Sequence, residues 1–122
     1  MEKEIVLSTL PHTWIFDIDG TLVKHNGYLT EEGDTLLEGA AEFLESIPEK
    51  DMIIFLTARP SSVRDITEKF LAEKNIRYDH IIFDAPVGER IVINDNKPSG
   101  LVMAYAVERT RDKWEKLTLI EK

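Results

Sequence analysis

Four short apolar runs separated by stretches of helical spacing predict an α/β fold, a three-layer Rossmann-like sandwich around a mainly parallel sheet. The runs are Trp14-Ile15-Phe16-Asp17, Met52-Ile53-Ile54-Phe55-Leu56-Thr57, His80-Ile81-Ile82-Phe83-Asp84 and Ile91-Val92-Ile93-Asn94-Asp95. Continuous apolar runs of this length, rich in β-branched residues and Phe, suit strands buried on both faces. Between the first two, apolar residues at 36, 37, 40, 43, 44 and 47 predict a helix over Asp34–Ile47, which Pro48 ends. Between the second and third, Val63, Ile66, Phe70 and Leu71 line one face of a helix over Ser61–Lys74. Asp65 and Glu68 lie toward its N-terminal half and Lys74 at its other end, as the helix dipole favours. Strand, helix, strand, helix, strand implies right-handed crossovers.

The remaining stretches are shorter. Leu101–Val107 alternates large and smaller residues, which reads as a fifth strand, although a helix also fits. Asn26-Gly27 marks a tight turn at the tip of a small flap over residues 22–33. Residues 1–10 and 114–122 each have room for a short element of either type. With no repeat or linker, residues 1–122 are expected to form one domain.

A chain of 122 residues buries about two-thirds of its unfolded surface, enough for a core without covalent staples. The 43% apolar and 31% charged residues suit a globular protein. The absence of cysteine excludes disulfides, thiolate metal sites and thiol catalysis. A net charge of −8 argues against nucleic acid or an anionic membrane as the main partner. No run approaches the ~18 apolar residues of a membrane span. The start of the chain lacks the features of a secretory leader, so a cytoplasmic protein is expected.

Ligands of open parallel sheets bind at the carboxyl ends of the strands. Those ends carry Asp17 and Asp19, then Thr57 and Arg59, then Asn94 and Asp95. Asp17 and Asp19 leave the first run together, followed by Gly20 and Thr21, and Asp95 converges from the fourth. Three carboxylates so placed repel one another, and Mg²⁺ would offset that repulsion. The ion would also bridge carboxylate to phosphate, which reconciles an acidic chain with an anionic substrate.

Asp17-Ile18-Asp19-Gly20-Thr21 resembles D-x-D-G-T, the first signature of the haloacid-dehalogenase (HAD) phosphohydrolase superfamily. Thr57 within Leu56-Thr57-Ala58-Arg59 resembles the second signature and Asn94-Asp95 the fourth. Thr57 follows Asp17 by 40 residues and Asp95 follows Thr57 by 38, so each interval fits one crossover. The resemblance covers residues 13–108.

It implies an Mg²⁺-dependent phosphomonoesterase acting on a small phosphorylated metabolite. Asp17 would be the nucleophile that forms an aspartyl-phosphate. Asp19 would protonate the leaving alcohol and then activate water. Mg²⁺ would be held by Asp17, the backbone carbonyl of Asp19 and Asp95. Thr57 and backbone N–H groups near Gly20 and Thr21 would bind the phosphoryl oxygens. An acid at position 19, where ion-pumping relatives carry Thr, favours a phosphatase or phosphomutase. Asp34 follows Asp19 by 15 residues, room for the flap and not for a cap domain. A cap-less member is therefore expected, compatible with a homodimer or tetramer that closes the site. His25, Asn26 and Tyr28 on the flap become candidate substrate contacts.

The pattern departs from the family in two places. The third signature is a Lys or Arg, yet Ala85-Pro86-Val87-Gly88-Glu89-Arg90 contains no lysine. Lys97 is the first candidate to replace it and Arg90 the second. Asn94-Asp95-Asn96 carries one carboxylate where many members carry two, so Asn94 or water would complete the metal shell. The run Asn94–Gly100 is similar to small phosphatase-like proteins of bacterial surface-polysaccharide synthesis, which points to a phosphorylated sugar.

Blander roles stay open for single residues. Thr57 could cap the helix that follows, Arg59 could lie on the solvated surface, and His25 could simply face water. Two other functions compete. A receiver-like phosphoacceptor would carry its acceptor Asp on a middle strand, and the order of residues argues against it. A non-catalytic Mg²⁺ and phosphate binder is compatible with the missing lysine.

Overall fold

Apolar runs become strands here only where a neighbour completes the backbone ladder. The computed structural model describes residues 3–122, so residues 1 and 2 of the 1–10 stretch lie outside the described residues. Five strands form: β1 (Lys3–Leu7), β2 (Thr13–Phe16), β3 (Met52–Leu56), β4 (His80–Ile82) and β5 (Leu117–Glu121). The α-helices are α1 (Ala40–Ser46) and α2 (Arg64–Glu73). The fold is α/β and Rossmann-like, and every strand pair is parallel. The strands fall into two sheets, β2-β3-β4 and β1-β5. The open ends of the chain thus supply one strand each, paired with one another.

Register places the chemistry. Phe16 pairs with Phe55 and Phe55 with Ile81, so β2, β3 and β4 end side by side. Asp17 and Thr57 each follow directly on their strand. Ile53 and Phe55 are fully buried and share one core with Phe16, Ile18, Leu22 and Val23. Ala40 and Leu44 of α1 and Leu71 of α2 close that core. The opposite face is barer than the sequence implies: Ile15 is 53% exposed and Ile82 50%. Burial on both faces is therefore corrected to burial on one, since both helices feed the same cluster.

The α1 helix is shorter than the predicted span over Asp34–Ile47 because the chain uses Leu36 and Leu37 differently. Leu36 bridges Val23 in antiparallel fashion, and the N–H of Leu37 donates to the carbonyl of Leu22. These contacts form the base of the flap. Gly39 then turns into the helix at φ 92°, left-handed backbone that suits glycine. A Cβ there would lie 3.2 Å from Trp114 Cδ1, so the ring of the returning C-terminal segment packs closely over the glycine. The α2 helix matches its expectation, with Ser61–Val63 as a 3₁₀ turn leading in.

The predicted fourth and fifth strands do not form. Residues 91–95 and 101–107 are irregular, and Ile91 and Ile93 are 80% and 92% exposed. Pro86, Gly88, Pro98 and Gly100 flank the Ile91–Asp95 run, and no ladder receives it. Among the described residues, no helix is long and apolar enough to cross a membrane.

Aromatic rings tie the sheet to the C-terminal return. Phe43 of α1 packs at 5.7 Å from Trp14 and 5.1 Å from Trp114. Below them Asp51, almost fully buried, accepts hydrogen bonds from the Trp14 indole Nε1 and the His12 backbone N–H, both at 3.0 Å. Burial alone would raise the Asp51 pKa, but these donors and the nearby His12 ring outweigh it and hold it below the usual carboxylate value.

Candidate active site

The turn after β2 is built by its own backbone. The N–H of Leu22 and of Val23 donate to the carbonyl of Ile18, and that of Gly20 donates to Val23. Gly20 sits at φ 79°, and a Cβ on it would lie 3.1 Å from Arg111 Cγ. This tight loop projects Asp17 and Asp19 from one point into different surroundings.

Asp17 is the more open of the two, its side chain 36% exposed. One oxygen accepts from the Thr21 hydroxyl at 3.3 Å, and the other faces Arg90 Nη1 at 3.4 Å. Arg90, the second candidate for the missing cation, is thus the basic residue beside Asp17. Lys97 is corrected: its side chain makes no hydrogen bond or ion pair among the described residues, and it lies in the exposed irregular stretch.

Asp19 is held by Arg59. Nε and Nη2 of Arg59 donate to the two carboxylate oxygens, each at 2.9 Å. The same guanidinium reaches Asp34 with Nη1 at 3.0 Å and Nη2 at 2.7 Å, and Thr67 Oγ1 with Nη1 at 2.9 Å. All five N–H donors of the fork are therefore engaged. The Arg59 side chain is 1% exposed, that of Asp34 4% and that of Asp19 15%. Burial would lower the Arg59 pKa, but the hydrogen bonds and charge of Asp19 and Asp34 outweigh it and raise it further above its usual value. The Tyr28 ring covers one face of the guanidinium, 4.1 Å from Cζ.

This geometry corrects two roles. Arg59 is neither a substrate contact nor solvated surface, because every donor is already used within the fold. Tyr28 covers Arg59 rather than standing free as a substrate contact. Sequence reasoning missed Asp34, which reads locally as a helix start. Its signal was an acid at the end of the flap facing an arginine after β3.

The other expected residues divide. Thr57 is buried, and its Oγ1 accepts from the Arg59 backbone N–H at 3.0 Å, leaving the hydroxyl proton to donate elsewhere. The N–H groups of Gly20 and Thr21 are spent on Val23 and Ile18, so they are corrected as phosphate donors. His25 is anchored through its backbone N–H to Asp112 Oδ1 at 2.6 Å. Asn94 turns its amide to the carbonyls of Asp95 and Met103. Asp95 is exposed, in the run that fails to become a strand.

These positions bear on Mg²⁺. Among the described residues, no group of three or more His, Cys, Asp or Glu side chains could hold a metal ion. Of the expected carboxylate ligands, Asp17 is open at the end of β2, whereas Asp95 lies in the exposed irregular stretch. The residues brought together here do not fit a complete Mg²⁺ shell.

Residues 14–99 match the family model for PITM 1-3, LNS2 domain, and the chain belongs to this family. LNS2 is itself a HAD-like phosphatase family, so the D-x-D-G-T reading stands at the level of the superfamily. The resemblance to surface-polysaccharide phosphatases is overturned, since the matched stretch reaches Ser99 and assigns almost all of the Asn94–Gly100 run to LNS2. No curated protein and no solved structure matches the chain.

Proposed function

We propose that the chain hydrolyses a phosphomonoester with Asp17 as nucleophile. The observation that supports this most directly is Asp17 itself: an open carboxylate at the end of β2, level with Thr57 at the end of β3 and with a cation alongside. One Asp17 oxygen attacks phosphorus, the ester P–O bond breaks, and an aspartyl-phosphate results. Asp19 gives a proton to the departing alcohol and then takes one from the water that cleaves the intermediate. Each Asp19 oxygen keeps a lone pair beyond the one used by Arg59, which leaves room for that proton. The Thr57 hydroxyl and the N–H groups of Ile18 and Asp19, which donate to nothing among the described residues, face the charge that develops on the phosphoryl group. Arg90 supplies the positive charge expected of the third signature.

The substrate proposed is a small phosphorylated metabolite. LNS2 domains are related to phosphatidate phosphatases, so a test panel pairs soluble sugar phosphates with phosphatidate. HAD-like phosphatases of this kind generally use Mg²⁺, and the assay is run with and without it. Wild type is expected to hydrolyse an aryl phosphate, and Asp17→Asn to reduce the rate more than about a thousandfold. Equal rates for the two proteins would refute the reading.

A second reading, a non-catalytic phosphate binder of the same fold, is favoured by one observation: both Asp19 oxygens already accept a hydrogen bond from Arg59. Phosphate binding that depends on Arg90, with no turnover across the panel, would establish it.

A further inference from the structure

We propose that Asp34 is a positioning residue that acts through Arg59 to fix Asp19; the inference rests on the proton-transfer role assigned to Asp19 above. The guanidinium is planar, and it meets the two carboxylates along two of its edges. The Nε–Nη2 edge holds Asp19 bidentately, and the Nη1–Nη2 edge holds Asp34 bidentately. The last donor goes to Thr67 Oγ1, which is itself tied to the Val63 carbonyl at 2.8 Å. The plane of Arg59 therefore sets the direction of the Asp19 carboxylate, and Asp34, Thr67 and Tyr28 set the plane.

Asp34 is the largest of these constraints. Without it the guanidinium keeps one hydrogen bond to α2 and a ring on one face, and it can swing about the Asp19 contact. A proton donor must stand within hydrogen-bond reach of the oxygen it serves. Misplacement by about 1 Å costs on the order of a hundredfold in rate. Two of the three constraints, Tyr28 and Asp34, come from the flap and its return to α1. The flap thus reaches the chemistry through Arg59, without needing to touch the substrate.

A purely structural clamp would slow phosphoryl transfer from every ester alike, whereas a clamp that aims a proton donor is felt in that first step only where the leaving group needs a proton. The test compares an alkyl phosphate, whose alkoxide leaves poorly unprotonated, with p-nitrophenyl phosphate, whose phenolate needs no proton. The attack of water assisted by Asp19 is common to both esters, so the readout is single-turnover release of the leaving group. For Asp34→Asn we expect that release to slow roughly tenfold or more with the alkyl phosphate and less than about twofold with the nitrophenyl ester. The substrate concentration giving half the maximal single-turnover rate should stay unchanged for both. Asp19→Asn should show the same selectivity, with the double variant no worse than Asp19→Asn alone. Equal losses on both substrates, or no loss, would overturn the proposal. Should Asp34→Asn fail to fold, Tyr28→Leu takes its place, removing the ring and sparing both carboxylates. It must then show a smaller loss of the same selectivity, and a uniform loss counts against the proposal. If Asp17→Asn matches wild type, the phosphatase reading falls and this inference with it. Activity that needs Asp17 but shows uniform losses for Asp34→Asn sinks this inference alone.

Discussion

Ile53 and Ile93 each sit inside a short β-branched run followed by a polar residue with chemical potential, yet the first is fully buried and the second 92% exposed. The first belongs to residues 13–84, where β2, β3 and β4 pair in parallel and two helices feed one core. The second belongs to residues 85–116, which contain no strand or helix. Hydrophobicity is similar in the two regions; neighbours are not. In the first region the first two runs are each followed by a helix that carries the chain back, so the three strands meet in register. In the second, Pro86, Gly88, Pro98 and Gly100 interrupt the backbone, and no helix returns the chain to the sheet. An apolar run is a strand only when another strand satisfies its N–H and C=O groups.

The strongest way to test how tightly the ordered region is bound together is to remove its buried cation. Arg59→Ala leaves Asp34 and Asp19 without their shared partner and is expected to cost about 3–5 kcal/mol of stability, read from urea unfolding. Next comes the direct contrast. Ile53→Ala should cost about 2–5 kcal/mol, whereas Ile93→Ala should change stability by less than about 0.5 kcal/mol. A large cost at Ile93 would show that the run packs against something, and the difference between the two regions would disappear.

A smaller effect is expected at Asp51. Asp51→Asn removes the charge that the Trp14 and His12 donors stabilise, at about 1–3 kcal/mol near neutral pH. The sign follows from its depressed pKa. The stabilisation is fully present above the unfolded value of about 3.9 and is lost as pH falls through the lower folded value. Wild type should therefore lose its advantage over Asp51→Asn in that acid window. An advantage that grows there would contradict the assignment.

The same contrast explains how much of the site was legible. D-x-D-G-T after an apolar run located Asp17 and Asp19, and Thr57 at the end of the next run located its neighbour, because β2 and β3 are consecutive and pair directly. Arg59 was singled out but given the wrong surroundings. Its partners, Asp34 on the flap return and Thr67 on α2, lie 25 and 8 residues away, and only folding brings their oxygens onto one fork. Asp34 and Leu36 also satisfy helical spacing, so nothing local distinguished a helix start from a flap base. That Arg90 rather than Lys97 lies beside Asp17 is a matter of distance, which no spacing rule encodes.

By itself the sequence determined the α/β class, the strands at Trp14, Met52 and His80, the helix after Ser61, and the loop that carries the two acids. These depend on hydrophobic period and on turn residues close in the chain. The tertiary structure alone decided that the apolar run at Ile91 finds no ladder and that β1 and β5 pair with one another. It also decided that one arginine binds two carboxylates, one from each side of the flap. Those outcomes depend on which backbone edges and charged groups meet across long separations, where burial leaves a buried cation no partner but the nearest carboxylates.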